Sequence, residues 1–442
     1  SFSRNLPPSL RVLATKDPTA TEESAESSSE HGNIKGDEYR EDSAIFQELY
    51  NSICPNNHGL LRLDGSQDGV RGVFVNQNIQ KGEKILSVPL FFCLRDDQPP
   101  AWILDNETIL DGSDNHIIDT WACRSAASLI DAQLRAADGR NIDRETLLWL
   151  SLLPNPSYLR ASLPIHWPEE VLSQAKCTAL ELVVDSSYFS RAQAIQDLVE
   201  GLDRCDAVTS DSMDVKRSLA ENALDLVQTR SCRVIVEDDR PVRLQAPLFD
   251  LINHHPTAVN AEFTLEQEEE GGELKSLVVR ALRDMKKNEE ILIDYGDSAR
   301  PDWRCLSSYG FVPLFEPGMP TGDGDHTAEM CFEGQRFLVG PDTVPQHLVC
   351  AIALSMGGAN GEIDSQINLT PPIALQLAQR LEEAAPQIVL GESDAYNDSI
   401  EENGKNSLNE KPEDIISEQL AAALRWNQHR ILMTCSLGLR DW

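Results

Sequence analysis

No apolar run approaches the roughly 18 residues that a membrane-spanning helix needs, so the chain is not expected to cross a membrane. Positive charge is scarce as well: 38 Lys and Arg stand against 72 Asp and Glu, a formal charge of −34. A duplex nucleic-acid binder presents a basic face to phosphates, so that class is set aside. A partner carrying a basic segment would instead be drawn in by long-range attraction. CxxC spacing is missing: the ten cysteines are scattered from Cys54 to Cys435. In a chain of this length that usage reads as reduced, mostly buried thiols in an intracellular compartment, and no metal site is expected. No internal repeat is present.

What is there suits a globular protein. The 442 residues, 41% hydrophobic, are enough for two or three domains of ordinary size. Residues 17–45 hold nine acids against Lys35 and Arg40 and read as a disordered linker, and residues 391–414 hold eight acids against Lys405 and Lys411. Setting aside these stretches, with net charges of −7 and −6, still leaves −21, so the folded part is acidic too. Ser1 to Lys16 carries Arg4, Arg11, Lys16 and no acid, which fits either the remnant of an organelle transit peptide or a flexible basic tail. Cytoplasm, nucleus and plastid therefore stay open.

Order is expected to begin near Ile45–Ile53, where Ile45, Leu49 and Ile53 fall at helical spacing. Short strands are expected at Val73–Val75, Lys84–Val88 and Phe91–Leu94. Between about 100 and 225 the spacing predicts helices at Trp121–Ala137, Arg144–Leu153, Pro168–Leu182 and Ser190–Leu202. Strands return at Arg233–Val236, Ala261–Leu265, Leu277–Ala281 and Ile291–Asp294, with a hairpin tip inside Glu266–Glu273. After about 318 the pattern is helical: Pro345–Met356, Pro371–Ala385 and Glu413–Cys435, interrupted by a mobile acidic loop at about 391–412.

Four segments carry chemistry. Gly69 and Gly72, three apart before a strand and followed by Ile79–Pro89, permit close backbone approach but do not make a dinucleotide fingerprint. Val227–Arg233 ends a helix in Thr229-Arg230. The apolar run Ala246–Pro256 stops abruptly in Asp250, Asn253 and His254, polar groups that need partners where the chain leaves a core. His254-His255 lacks the further ligands a zinc site requires. Finally, Tyr295-Gly296 and Tyr309-Gly310-Phe311 form two Tyr-Gly pairs, the first ending a strand.

In this order and spacing the segments resemble the SET-domain methyltransferase family, most closely its Rubisco-methyltransferase-like branch, which also holds the actin-histidine methyltransferases. The resemblance spans roughly residues 45 to 442. It includes the shortened insert signature Tyr158…Leu163-Pro164 with Trp167, and a helical tail that looks like that branch's substrate-binding domain. Two departures stand out: the Asn-His motif continues as His255-Pro256, and Asp302-Trp303 stands where the family usually has Asn.

The resemblance implies an α+β fold with small curved sheets around a knot-like crossing, a helical insert and an all-helical C-terminal domain. Its boundaries would be 1–44 for a disordered or targeting segment, 45–317 for the SET domain with its insert at about 100–225, and 318–442 for a substrate-binding domain. It also implies S-adenosyl-L-methionine as cofactor and N-methylation of a lysine on a non-histone protein, by a monomer. Glu83, Lys84, Ile85, Arg230, Asp250, Asn253, His254, Tyr295, Tyr309, Gly310 and Phe311 would bind the cofactor, and Tyr295 would be the catalytic phenol. Cys232 and Tyr309 would line the acceptor pocket. Two alternatives stay open: a histidine acceptor, because Thr229-Arg230 resembles the actin-histidine branch, and a catalytically silent SET scaffold that binds a partner.

Overall fold

A computed structural model describes residues 34–57, 59–65, 71–103, 121–139, 142–205, 212–236, 240–255, 258–267, 275–296, 301–313, 327–340, 344–357, 368–386 and 412–441. In chain order come α1 (Ile34–Ile53), β1 (Leu61–Gly65), β2 (Arg71–Val75), β3 (Lys84–Pro89) and β4 (Leu94–Arg95). Then follow α2 (Trp121–Asp138), α3 (Arg144–Ser151), α4 (Pro156–Ser162), α5 (Glu169–Gln174), α6 (Thr178–Asp203) and α7 (Met213–Arg230). Strands β5 (Cys232–Ile235), β6 (Pro241–Gln245), β7 (Asn253–His254), β8 (Ala261–Gln267), β9 (Lys275–Ala281) and β10 (Leu292–Ile293) lead to α8 (Asp302–Tyr309). Last are β11 (Ala328–Phe332), β12 (Gln335–Val339), α9 (Gln346–Ser355), α10 (Pro371–Ala384) and α11 (Pro412–Asp441). Among the described residues no helix is long and apolar enough to cross a membrane.

Two compact units result: one within Ser1–Leu159, Ser190–His254 and Val259–Tyr295, the other within Arg160–Phe189, His255–Ala258 and Gly296–Trp442. The expected helical insert is thus shared between them.

The first unit holds β1 to β10. β3, β9 and β8 form an antiparallel sheet, as do β4, β6 and β5, while β1 pairs with β2. β7 and β10 are parallel, Leu292 opposite Asn253 and Ile293 opposite His254. The segment leading into β10 also bonds to β2, through Val75 N–H to the Glu289 carbonyl and Ile291 N–H to the Val73 carbonyl. The Tyr-Gly segment is therefore held between β2 and the Asn-His strand, the crossing expected of the fold.

α1 seats Phe46, Leu49, Tyr50 and Ile53, one buried stripe at helical spacing, in this unit's core. The helix begins at Ile34, well inside the stretch read as disordered. Once the buried turn is formed, each further residue adds a backbone bond at low cost, so a helix extends past its apolar stripe. Residues 17–33 lie outside the described residues.

In the second unit β11 and β12 pack with α9, α10 and the C-terminal half of α11 around Phe337, Ile352, Leu377, Ile431 and Leu432. A separate cluster joins Trp167, Leu172, Leu180, Leu306 and Leu424. α11 thus serves both clusters, and between its two apolar stretches sits Asn427, 1% exposed, donating to Asp302 Oδ2 at 3.0 Å. Asp302, which departs from the family pattern, is spent here on packing α8 against α11.

Other departures have local causes. Phe91–Leu94, expected as a strand, is a single 3-10 turn at Leu90–Phe92 followed by β4; Pro89 lacks the N–H a ladder needs. The helix expected over Pro168–Leu182 breaks at Lys176, whose φ is 51°, and α6 then runs on unbroken into the helix expected at Ser190–Leu202. The β11–β12 hairpin, in a stretch expected to be helical, turns at Glu333-Gly334, both with positive φ, as a tight hairpin requires. The expected tip within Glu266–Glu273 and the acidic loop at about 391–412 fall almost wholly outside the described residues.

Candidate active site

The polar stop at the end of the apolar run Ala246–Ile252 is built on a strained turn. Leu248 has φ 68° and ψ −41° and is buried, and Phe249 N–H reaches back to the Pro247 carbonyl at 2.8 Å. Such a left-handed conformation in a branched residue persists only where packing enforces it. Its effect is to drive Asp250 inward while Asn253 and His254 emerge on β7.

Asn253 Nδ2 donates to the Arg71 carbonyl at 2.9 Å and to Glu290 Oε1 at 2.8 Å. His254 Nδ1 lies 3.2 Å from both the Tyr295 N–H and the Ile293 carbonyl. The Tyr295 hydroxyl donates to the Ile252 carbonyl at 2.8 Å, and its ring is tilted against the His254 imidazole at 5.2 Å. His254 and Tyr295, 41 residues apart, are thus bonded to each other, and Asn253 beside His254 is held by Arg71 and Glu290.

Behind it lies a buried ion pair. Arg230, at the end of α7, donates to the Asp250 carbonyl at 2.8 Å and stands 3.5 Å from Asp250 Oδ2. Trp149 Nε1, from α3, donates to the same carboxylate oxygen at 3.1 Å. Burial raises the Asp250 carboxyl above its ordinary range and lowers the Arg230 guanidinium, each opposed by the charge of the other. Asp250 Oδ1 and Arg230 Nε are buried with no hydrogen-bond partner among the described residues. An unmatched donor on a guanidinium is the feature that fits a ligand carboxylate. Tyr295 lies within electrostatic reach of Arg230.

Other expected residues sit as follows. Glu83 Oε2 accepts from Gln80 N–H at 3.0 Å in the turn before β3, Lys84 pairs with Glu266 at 3.5 Å, and Ile85 is fully buried with its carbonyl 3.5 Å from the Tyr50 hydroxyl. Cys232 opens β5 beside Arg230, and burial pushes its thiol up to about 12, so it is no nucleophile at neutral pH. Tyr309, Gly310 and Phe311 belong to the second unit. There Gly310, φ 77°, ends α8, the Tyr309 and Phe311 rings stack at 6.1 Å, and a Cβ on Gly310 would meet Ser162 Oγ at 2.8 Å.

Sequence reasoning missed Trp149, Glu290 and Asn260. Trp149 read as one more apolar position on an amphipathic helix, and its polar edge gave no signal. Asn260, 1% exposed, donates to the Glu290 carbonyl at 2.7 Å and accepts from Leu292 N–H at 2.9 Å, pinning the chain that carries Glu290 into β10.

Gly72 earns its place through packing. A Cβ there would lie 2.2 Å from Glu290 Oε1 and 3.0 Å from Asn253 Nδ2. Gly72→Ala is expected to push Glu290 off Asn253 and cost about 1–3 kcal/mol of stability, read by thermal unfolding. An alanine variant as stable as the parent would show that Glu290 swings aside freely.

Comparison with known proteins bears on the family and the fold. Residues 70–296 match the family model for the SET domain. No curated protein matches the chain. Among solved structures, the SET domain of LSMT bound to lysine and AdoHcy is similar at a TM-score of 0.53 and 14% identity, over 91% of this chain and 91% of that chain. Rubisco LSMT bound to sinefungin and monomethyllysine is similar at 0.50 and 14%, over 90% of this chain and 92% of that one. At such identity the structural likeness speaks for the fold. The family match takes in more than half of the chain and every bonded member of the Asn253–Tyr295 cluster, and the chain belongs to the SET-domain family.

Proposed function

We propose that this chain is an S-adenosylmethionine-dependent protein-lysine N-methyltransferase acting on a non-histone protein. The observation that carries the reading is the Asn253–His254–Tyr295 cluster set in front of Arg230, whose guanidinium keeps an unmatched buried donor. S-adenosylmethionine would supply an electrophilic methyl group on a sulfonium. Similar solved structures hold AdoHcy or sinefungin with lysine or monomethyllysine, which supports both the cofactor and the acceptor.

The residues' tasks follow from their surroundings. Arg230 would meet the cofactor carboxylate through its unmatched donor, held in place by Asp250. Asp250, its side chain wholly enclosed, would act through Arg230 rather than by contact. Asn253 and His254 would hold the adenine and amino-acid ends, and Glu83, Lys84 and Ile85 would add backbone contacts. Tyr295 would face the methyl group, its hydroxyl aimed by the Ile252 carbonyl. Cys232 would line the acceptor channel, and for Tyr309, Gly310 and Phe311 the family resemblance alone implies a cofactor-binding role. A lysine of solution pKa about 10.4 must arrive neutral, and an apolar channel favours that form. Alignment then supplies the larger part of the rate.

The helices after residue 318 would recognise the protein substrate, and the net charge of −34 would favour one with a basic segment. The test is incubation with methyl-labelled S-adenosylmethionine and a total protein extract, then mass spectrometry of the labelled band. Label on lysine is expected. Label on histidine would transfer the reading to the actin-histidine branch, and cofactor binding without any label would favour a silent scaffold.

Asn253→Ala leaves the Arg71 carbonyl and the Glu290 carboxylate without their shared donor. It is expected to weaken S-adenosylmethionine binding by about 1–3 kcal/mol. Unchanged affinity of a folded variant in calorimetry would remove Asn253 from the cofactor site.

A further inference from the structure

Arg71 opens β2, one residue before the glycine that packs against Glu290, and it touches three parts of the first unit. One guanidinium nitrogen donates to Asp42 Oδ2 on α1 at 2.8 Å, and the other donates to the Leu152 carbonyl just past α3 at 2.8 Å. The Arg71 carbonyl accepts from Asn253 Nδ2 at 2.9 Å. Its charge also acts on both members of the Arg230–Asp250 pair, opposing the first and favouring ionisation of the second.

These contacts do more than tie down a strand. Asn253 is positioned by an amide that grips two acceptors, the Arg71 carbonyl and Glu290 Oε1. The carbonyl can hold its place only if the residue that bears it is fixed, and Gly72 beside it has no side chain to help. A planar fork reaching two acceptors at once supplies that fixation, which a single ammonium would do less well. Asp42 and Arg71 side chains are 26% and 20% exposed, so solvent weakens the ion pair without removing it.

We propose that Arg71 is a positioning residue for the cofactor cluster: its side chain fastens α1 and the end of α3 to the backbone carbonyl that holds Asn253. α1 thereby becomes part of the binding machinery although it contributes no cluster residue of its own. This rests on the reading of Asn253 as a cofactor residue.

The test uses the full chain and S-adenosylhomocysteine as probe, with affinity from calorimetry and thermal unfolding measured in parallel. Arg71→Met is expected to weaken binding about tenfold, Arg71→Lys to recover part of that, and Asp42→Asn to weaken it about threefold. The double variant Asp42→Asn/Arg71→Met is expected to bind no worse than Arg71→Met alone, because both changes break one linkage. A lower unfolding temperature in Arg71→Met with affinity within twofold of the parent would overturn the proposal, leaving Arg71 a purely structural residue. If Arg71→Met does not fold, Asp42→Asn decides: unchanged affinity there overturns the link to α1. Failure of the unmutated chain to bind the probe would instead overturn the proposed function, and this proposal with it.

Discussion

Tyr295→Phe is expected to cut turnover at least about tenfold while S-adenosylmethionine affinity stays within about threefold. The phenylalanine ring keeps the packing against His254 at 5.2 Å, and the backbone bond from Tyr295 N–H to His254 Nδ1 does not depend on the side chain. Only the hydroxyl is lost. In the folded chain its proton is committed to the Ile252 carbonyl at 2.8 Å, which turns the oxygen's acceptor side outward from that bond. An oxygen fixed in this way can take weak C–H···O contacts from a methyl group and stabilise charge as transfer proceeds. Such a group adds little to ground-state binding, so the loss should fall on kcat. Single-turnover kinetics with calorimetry separates the two. Parallel losses in affinity and turnover would make Tyr295 a structural residue.

That the site could be approached from sequence owes much to where polar residues interrupt apolar runs. Asn253 and His254 end one such run and Tyr295 another, and the structure bonds His254 to Tyr295 while Asn253 is tied to Arg71 and Glu290. What joins the two runs was not legible: β7 and β10 are two-residue strands, too short to carry any periodicity, and their parallel register arises from long-range pairing. Trp149 and Asp250 are 101 residues apart, and nothing local to either reveals that an indole N–H satisfies the buried carboxylate. The β11–β12 hairpin was hidden for a different reason. Its turn uses Glu333-Gly334 rather than the Asn-Gly or Asp-Gly pairs that announce tight hairpins, so only Gly334 offered a hint. The early start of α1 shows the limit of composition, since an acidic stretch joined to a buried stripe can be helical throughout.

The buried pair Arg230–Asp250 carries the second large expectation. Burial pushes both partners toward their neutral forms, so the pair is expensive to keep and contributes little net stability. Removing one member is another matter. Asp250→Ala leaves the guanidinium buried with the Asp250 backbone carbonyl as its remaining partner at that turn, and is expected to destabilise the chain by about 3–5 kcal/mol. Arg230→Met with Asp250→Leu removes both charges and fills the space with apolar groups, so stability should return to near the parent value. Cofactor binding should not return, because the guanidinium with its unmatched donor is gone. The pH dependence carries a matching sign: a folded carboxyl that holds its proton to higher pH than an unfolded Asp makes parent stability fall as pH rises through that interval. Both variants should lack that contribution. Denaturant unfolding across pH, with calorimetry on the double variant, reads all three effects. Losses that simply add in the double variant would show that Arg230 and Asp250 do not act as a pair, and recovered cofactor affinity there would show that Arg230 is not the carboxylate's partner.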